Sequence, residues 1–241
     1  MQKFYKELSP YFKQVTDFLT DTDTEIRTLD RIFRKHRVKK ILDVACGVGR
    51  HSIPLALLGY KPVGIDYSKS QIREARKEAR RQQVKLTFLL KDANRFSFPD
   101  KFDAAICMWT TIGEEPMVYA KVIANVYRAL KKGGIFVIDN NTWSRIPKSG
   151  EQFIDNRLNL KSLKIRQHIH DRFTEHFRVR EVRLNVNGKT YGDLCLTHVK
   201  RPHEWAEELK RAGFRKTSVM PNYQIETLHH RKNNALIIGF K

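Results

Sequence analysis

The chain has 241 residues, of which 41% are hydrophobic and 30% are charged. This composition is typical of a globular protein and excludes a disordered chain, and the length is sufficient for a large buried core. No apolar run reaches the roughly 20 residues that a membrane helix needs, and the first residues lack the apolar stretch of a secretory signal.

The three cysteines, Cys46, Cys107 and Cys195, are far apart in the sequence. They form no CxxC pair and no cysteine–histidine cluster with the spacing of a zinc site. We therefore expect reduced thiols in a cytoplasmic protein, and no metal.

The sequence is strongly basic, with 46 lysines and arginines against 26 acidic residues and a formal net charge of +20. Such a charge suits either a nucleic-acid partner or a solvated, charge-rich surface. The basic residues are spread along both halves, and over residues 74–81 they alternate with glutamates at the spacing of helical ion pairs. We favour the solvated surface and do not expect a nucleic-acid site.

The first 37 residues are predicted to be helical, because Ile26, Leu29, Ile32 and Phe33 recur at the spacing of one helix face. From residue 40 onwards strands and helices alternate, which predicts a parallel sheet with right-handed crossovers. We predict strands at 40–45, 61–65, 85–90, 102–108 and 135–139, and helices at 50–58, 69–83 and 117–130. The run 131–134 is expected to end the last of these helices.

The pattern changes in the second part of the chain, where residues 158–200 are extended runs. Asn187-Gly188 between two such runs predicts a tight β-hairpin. A helix over 202–211 and strands at 214–220 and 235–240 follow. The predicted fold class is α/β: a Rossmann-like seven-stranded sheet flanked by helices, with a small antiparallel β insert.

The most informative segment is a buried strand that runs into a glycine turn and then a helix, from Ile41 to Ser52. Glycines here let the backbone take positive φ and approach a ligand closely. In open α/β sheets, ligands bind at the carboxyl ends of the strands. Asp66 ends the second predicted strand, where its carboxylate suits the two hydroxyls of a ribose.

Two cofactor classes fit this layout. A dinucleotide needs a GxGxxG loop that faces a pyrophosphate, but here Gly47-x-Gly49 is followed by Ser52. S-adenosylmethionine (SAM) has no phosphate and carries a cationic ammonium. Asp43, on the strand before the loop, would attract the ammonium and oppose a pyrophosphate, which favours SAM.

These motifs resemble, in order, those of the class I SAM-dependent methyltransferases. The first motif here is Asp43-x-Ala45-x-Gly47-x-Gly49, with alanine where the family usually has its first glycine. Phe102-Asp103-Ala104-Ala105-Ile106 is similar to the fourth strand of the family, and Leu130-Lys131-Lys132-Gly133-Gly134 to the turn before its fifth strand. The resemblance covers about residues 35–140 and the element from Leu209 to Phe214.

The resemblance implies a SAM site and a SAM-dependent methyltransferase activity, with S-adenosylhomocysteine (SAH) as product. It implies that Asp66 holds the ribose and that the pair after strand three faces the adenine. The N-terminal helix of related enzymes often folds over the methionine end. The implied cofactor-binding residues are Tyr11, Asp43, Ala45, Gly47, Gly49, Asp66, Tyr67, Asp92, Ala93, Met108 and Trp109.

The resemblance also implies a division of the chain into three parts. Residues 1–150 form the SAM-binding core with its N-terminal helical segment, 151–200 an antiparallel lid over the acceptor, and 201–241 the C-terminal helix and closing strands of the core. The lid is expected to set the choice of acceptor and to contribute little to SAM affinity.

No catalytic residue is assigned from the sequence. Methyl transfer from a sulfonium depends mainly on positioning and exclusion of water, so no catalytic triad is required. Among the candidates for a base are the lid histidines, although histidines on strands are more often structural or exposed. These are His168, His170, His176 and His198.

The acceptor stays open between three interpretations. The segment 108–115 lacks the Asn-Pro-Pro-Tyr sequence of enzymes that methylate base amines or protein glutamine, which favours N or O methylation of a small molecule. An RNA or ribosome methyltransferase has only the net charge in its favour. The third interpretation is a SAM-binding module without catalysis. The oligomeric state does not follow from the sequence.

We predict that SAM or SAH stabilises the protein and that NAD does not, because the ordered motifs from Asp43 to Gly134 suit a cofactor without phosphate. SAH at about 100 times its dissociation constant should raise the free energy of unfolding by roughly 2.7 kcal/mol. Thermal unfolding with each ligand is the measurement. A shift with NAD and none with SAH would contradict the assignment.

Overall fold

A computed structural model describes residues 2–109, 111–141, 149–160, 163–221 and 234–241. The helices are α1 Gln2–Leu19, α2 Thr22–Lys35, α3 Ser52–Leu57, α4 Lys69–Arg81, α5 Tyr119–Ala129 and α6 Pro202–Arg211. The strands are β1 Lys40–Val44, β2 Lys61–Asp66, β3 Thr87–Leu90, β4 Phe102–Cys107, β5 Leu130–Asn141, β6 Gly150–Leu160, β7 Leu163–Phe173, β8 Phe177–Val186, β9 Lys189–His198, β10 Lys216–Pro221 and β11 Asn234–Phe240. Within these ranges no helix combines the length and apolarity needed to span a bilayer.

The predicted fold class is confirmed. A seven-stranded sheet has the order β10-β11-β5-β4-β1-β2-β3. Strands β1 to β5 are parallel to their neighbours in this set, whereas β11 is antiparallel to both β5 and β10. A second sheet has the order β6-β7-β8-β9 and is antiparallel throughout.

Helices cover both faces of the large sheet because its central strands, such as β1 and β4, are buried on both sides. The stripe Ile26, Leu29 and Phe33 of α2 packs against one face, in a cluster that includes Leu55 of α3. Val122 and Val126 of α5 pack into the cluster on the other face, together with residues of α6. Burial on both faces is what distinguishes such strands from the half-exposed strands of the small sheet.

The antiparallel sheet alternates between a buried face and an exposed face. Ile165, Leu184, Val186 and Tyr191 are buried against Leu8 and Val15 of α1. The predicted hairpin is present, and Asn187 and Gly188 take φ values of 49° and 86° in its turn. Helix α1 therefore lies between the small sheet and the rest of the protein, where it also packs against α4.

Several element boundaries differ by a few residues from the sequence prediction, and the clearest difference lies at the start of strand five. Residues 131–134 were expected to separate the helix from strand five, but pairing begins at Leu130, opposite Phe102, directly after α5. The register then shifts so that Ile135 lies opposite Ala104. The extra residues bulge out of the strand, which Gly133 permits by taking a φ of 78°.

A buried ion cluster holds α2 against the loop after β1. The Glu25 carboxylate pairs with the guanidinium of Arg50 and lies 2.7 Å from Nε2 of His51, and all three side chains are buried. Burial alone would raise the pKa of Glu25, but Arg50 and His51 together lower it to about 2. Burial and Arg50 lower the pKa of His51, so a neutral ring donates its N–H to Glu25.

We predict that Glu25→Gln destabilises the protein by about 3 kcal/mol at pH 7, because it leaves Arg50 buried without its counter-charge. The pKa of Glu25 is depressed, so its contribution to the free energy of unfolding is complete above pH 4.5, the ordinary pKa of the group. This contribution is lost as the pH falls towards 2. Urea unfolding at pH 7 and pH 3 is the measurement. The difference in free energy of unfolding between wild type and variant should be smaller at pH 3.

The matched control is Glu74→Gln, because Glu74 pairs with the exposed side chains of Arg73 and Lys77. It should change the stability by less than about 1 kcal/mol at either pH. If the difference in free energy of unfolding between wild type and Glu25→Gln stays constant from pH 7 to pH 3, the charge of Glu25 is not the source of the stabilisation.

Candidate active site

The chain order creates a crevice at the carboxyl edge of the large sheet. From the central strand β1 the chain moves to β2 and β3 on one side, and then returns to β4 and β5 on the other. The loops that leave β1 and β4 therefore diverge, and ligands of open α/β sheets bind at such a switch point.

The loop after β1 uses three residues with left-handed backbone. Ala45, Gly47 and Gly49 have φ values of 57°, 54° and 82°. A Cβ on Gly49 would lie 2.8 Å from Cζ of Phe88, so no larger residue fits there. A Cβ on Gly47 would meet only Oε1 of Gln71, at an ordinary contact distance of 3.6 Å, so it is the positive φ and not a close neighbour that favours glycine there.

Ala45 occupies the position where the sequence motif usually has glycine, and its positive φ explains that preference. A residue with a Cβ pays roughly 1–2 kcal/mol for left-handed backbone. Alanine at this position therefore introduces backbone strain, in addition to narrowing the space beside a ligand.

Asp66 joins the glycine loop to the start of α4. Its Oδ2 accepts the Gly47 N–H at 2.9 Å, and its Oδ1 accepts the Ser68 N–H at 2.8 Å. Burial raises the pKa of Asp66, while these two backbone bonds act in the opposite direction. Ser68 caps α4 by accepting the Gln71 N–H, so Asp66 is not the cap of that helix.

Two further polar side chains lie near this loop. Asp43 is buried in β1 and accepts a hydrogen bond from Oγ of Ser52 at 2.6 Å. Burial raises the pKa of Asp43 to about 7, so its charge responds to a nearby cation. Tyr67 is half-buried, and burial, Asp66 and Glu114 raise the pKa of its phenol to about 12.

The end of β4 meets α1 and the glycine loop. Met108 is buried in the sheet core, whereas Trp109 takes a φ of 68°, which is unusual for a bulky residue and is found mainly at functional sites. The ring of Phe12 contacts Trp109 edge to face at 5.8 Å, and the Arg50 guanidinium lies 5.9 Å from the Trp109 ring centre.

The remaining predicted binding residues lie at the rim. Asp92 is exposed and accepts the Asn94 N–H at 2.8 Å, in a turn after β3. The carbonyl of Ala93 accepts a hydrogen bond from Asn125. Tyr11 is half-buried and packs against the cluster that α1 shares with the antiparallel sheet.

Two of the candidate histidines lie on the wrong face of the antiparallel sheet. His168 pairs with Asp155, and His170 with Glu151, on the face that points away from α1. Side chains alternate between the faces of a strand, so neither ring reaches the crevice. His176 is exposed in a turn, and His198, the last residue of β9, packs among Tyr119, Phe177 and Glu115.

The inner face of the antiparallel sheet carries a buried polar cluster that the sequence analysis missed. Arg180 donates from Nε and Nη2 to the two carboxylate oxygens of Asp171, each at 2.7 Å. Arg178 is buried beside it and donates to Oγ1 of Thr197 at 2.9 Å. Burial, aided by Arg180, lowers the pKa of Arg178 to about 10.

The sequence of β8 itself indicates that these arginines lie on the inner face. Arg178 and Arg180 share their parity along β8 with the buried Leu184 and Val186, so a period of two places both arginines on the inner face. Glu114, after β4, forms a β-bridge with Thr197, whose hydroxyl accepts from Arg178, so the cluster lies next to the segment that leaves β4.

The antiparallel sheet is attached to the crevice through its edge strand. Glu114 forms a β-bridge with Thr197 of β9, and the Glu115 N–H donates to the Leu196 carbonyl at 3.0 Å. The segment that leaves β4 therefore continues into the small sheet, and the inner face of that sheet adjoins the carboxyl ends of the parallel strands.

Comparison with known families identifies the central part of the chain. A family profile described as "Methyltransferase domain" matches residues 41–134. The glycine/sarcosine N-methyltransferase of Parasynechococcus marenigrum (strain WH8102) is 26% identical over 158 residues, which cover 62% of this chain and 54% of that protein. The chain thus matches about half the length of this relative.

Solved structures resemble the protein over nearly its whole length. A SAM-dependent methyltransferase from Clostridium acetobutylicum superposes with a TM-score of 0.76 at 15% identity, covering 97% of both chains. The sugar N-methyltransferase KedS8 from Streptoalloteichus superposes with a TM-score of 0.72 at 17% identity, covering 92% of this chain and 88% of that one.

The residues present fit SAM. Gly47 presents backbone without a side chain in the loop after β1, and the buried Asp66 and Asp43 would offer carboxylates to hydroxyl and ammonium groups. Among the described residues Nη2 of Arg50 is buried without a hydrogen-bond partner, which suits an anionic group such as a carboxylate. Residues 41–134 match the methyltransferase-domain profile, and the chain as a whole has the fold of solved SAM-dependent methyltransferases.

Proposed function

We propose that the protein is an enzyme that transfers a methyl group from SAM to a nitrogen of a small molecule. The observation that carries this proposal is the attachment of β9 to Glu114 and Glu115, directly after β4. A sheet bonded there covers the acceptor side of the crevice. A cover over that side would suit a small acceptor better than a folded RNA.

The cofactor is assigned to the glycine loop and its surroundings. Asp66 would accept from the ribose hydroxyls, and Asp43 lies on the strand that leads to the methionine end. Arg50 is added to the predicted set because of its unsatisfied Nη2. The complete set is Tyr11, Asp43, Ala45, Gly47, Gly49, Arg50, Asp66, Tyr67, Asp92, Ala93, Met108 and Trp109.

SAM supplies a methyl group on a positively charged sulfur, which leaves as a neutral thioether. The protein therefore needs to hold an acceptor in line and to exclude water, and it needs no strong electrophile. Helix α1 and the antiparallel sheet act as the cover, since Phe12 reaches Trp109 and Leu8 packs onto the sheet.

The charges of the inner face favour an amine that also carries polar or anionic groups. Arg178 offers a buried cation beside the crevice, and Glu114 offers a carboxylate that would attract an amine. The glycine/sarcosine enzyme and the sugar enzyme to which the chain is similar are both N-methyltransferases by name, which supports nitrogen over oxygen. The three free, buried thiols fit a reducing compartment such as the cytoplasm.

We predict that Asp66→Ala weakens SAH binding about tenfold or more, because charge-assisted hydrogen bonds contribute about 1.5–3 kcal/mol each. The variant should also unfold more easily, since Gly47 and Ser68 lose their acceptor. Calorimetric titration of the folded variant is the measurement. Asp155→Ala, on the exposed face of the small sheet, is the control, and an Asp66→Ala affinity within twofold of wild type would exclude the ribose role.

The proposed reaction is tested by following SAH formation over a panel of small primary and secondary amines, amino acids and amino sugars. We predict that Arg178→Met lowers turnover of the best acceptor about 30-fold or more while the SAH dissociation constant stays within twofold. Loss of one partner of a buried polar contact costs about 2 kcal/mol or more. Methionine keeps most of the volume of the arginine stem, which limits the damage to packing.

The matched control is Arg183→Met on the same strand, because Arg183 lies on the exposed face and pairs with Glu181. It should change neither turnover nor SAH affinity. If Arg178→Met stays folded but loses SAH affinity together with turnover, the inner face belongs to the cofactor site instead. SAH binding without any SAH formation across the panel would favour a non-catalytic SAM-binding protein.

A further inference from the structure

The edge of the large sheet opposite the crevice carries a continuous row of lysines. Each of the seven strands has a lysine at, or within two residues of, the end that lies at this amino edge. In the order of the sheet they are Lys216, Lys241, Lys131 with Lys132, Lys101, Lys40, Lys61 and Lys85. These residues are scattered over 200 positions of the sequence, and only the strand order brings them together.

The register of the strands shows how close these charges are. Lys40 lies directly opposite Lys61 in the β1–β2 pair. Val63 lies opposite Thr87 in the β2–β3 pair, so two residues earlier Lys61 lies beside Lys85. At about 4.8 Å between strands, the row from β10 to β3 extends over roughly 29 Å.

The protein itself neutralises little of this row. Asp103 pairs with Lys131, and Asp100 pairs with Lys241. Within the described ranges Lys40, Lys61, Lys85, Lys132 and Lys216 form no ion pair, and all five are exposed. Like charges opposite each other destabilise a sheet, so the row has a cost that these two ion pairs offset only in part.

The helix ends add charge to the same edge. In a βα unit each helix returns to the amino edge, and the last turns of α2, α4 and α6 carry basic residues. Four of these pair with carboxylates of their own helix, so the charge added comes mainly from Lys35 and Arg80. Cations at a helix C-terminus are stabilised by the helix dipole, which accounts for one or two charges per helix. It does not account for a row that continues across every strand, including the antiparallel β11.

We propose that this amino edge is a docking surface for the phosphate backbone of a nucleic acid. Neighbouring strands rotate by about 20–25°, so the row turns through roughly 130° from one end to the other. A flexible or helical chain of phosphates follows such a row, whereas a planar bilayer meets only part of it. Strands of five or six residues separate this edge from the crevice by about 16–20 Å, so the nucleic acid is a docking partner and not the methyl acceptor.

The proposal revises the expectation from the sequence, in which the basic residues were judged too dispersed for a nucleic-acid site. It does not depend on the methyltransferase activity, since no residue of the row is among the proposed cofactor or acceptor residues. Phosphate contacts carry no sequence information, so the surface is expected to bind without sequence preference.

The test compares two triple variants with equal net charge. Lys40→Gln, Lys61→Gln and Lys85→Gln together remove the centre of the row, while Lys121→Gln, Lys164→Gln and Lys189→Gln remove three exposed lysines elsewhere. Fluorescence anisotropy with labelled oligonucleotides of about 20 nucleotides, single-stranded and duplex, is measured over a range of salt concentrations. SAH titration of each protein shows that the fold and the crevice are intact.

We expect the row variant to bind about tenfold more weakly or worse, and to lower the slope of log affinity against log salt by about 2.7 for duplex or about 2 for single strands. The control variant should stay within about threefold of wild type. Equal losses in the two variants would overturn the proposal, as would no oligonucleotide binding by wild type at about 0.15 M salt. Binding to vesicles of anionic lipid without binding to oligonucleotides would also overturn it, and would instead implicate Leu57 and Leu58, which are exposed near Lys61.

Discussion

The carboxylate of Asp66 is the contact on which the crevice depends. It accepts from the backbone of Gly47 and of Ser68, and so joins the end of β2 to the loop of β1 and to the start of α4. A glycine loop with three left-handed residues would otherwise have many conformations. One buried side chain thus shapes the loop and, in the proposed function, also receives the ribose.

A second buried carboxylate supports the same loop from the outside. Glu25 holds Arg50 and His51, which directly follow Gly49, against α2. This arrangement leaves Nη2 of Arg50 without a partner among the described residues. The loop is therefore held by the Gly47 N–H on Asp66 on one side and by the ion pairs of Arg50 and His51 on the other.

The direction of the strands gives the two edges of the sheet opposite characters. At the carboxyl edge, loops diverge, the antiparallel sheet is attached, and carboxylates are buried with raised pKa values. At the amino edge, helices end and lysines are exposed. The two edges lie at opposite ends of the same strands. The proposed chemistry at the carboxyl edge and the proposed docking at the amino edge therefore use separate sets of residues.

The sequence by itself determined the order of strands and helices, the glycine loop with Asp66, and the hairpin at Asn187-Gly188, because these depend on hydrophobic period and local turn chemistry. The period of two along β8 also places Arg178 and Arg183 on opposite faces of the strand. Only the tertiary structure decided that Glu25 lies on Arg50, that Glu114 continues into β9, and that lysines from seven strands form one row. Such contacts join residues distant in sequence, and they exist only once the strand order and register have brought those residues side by side.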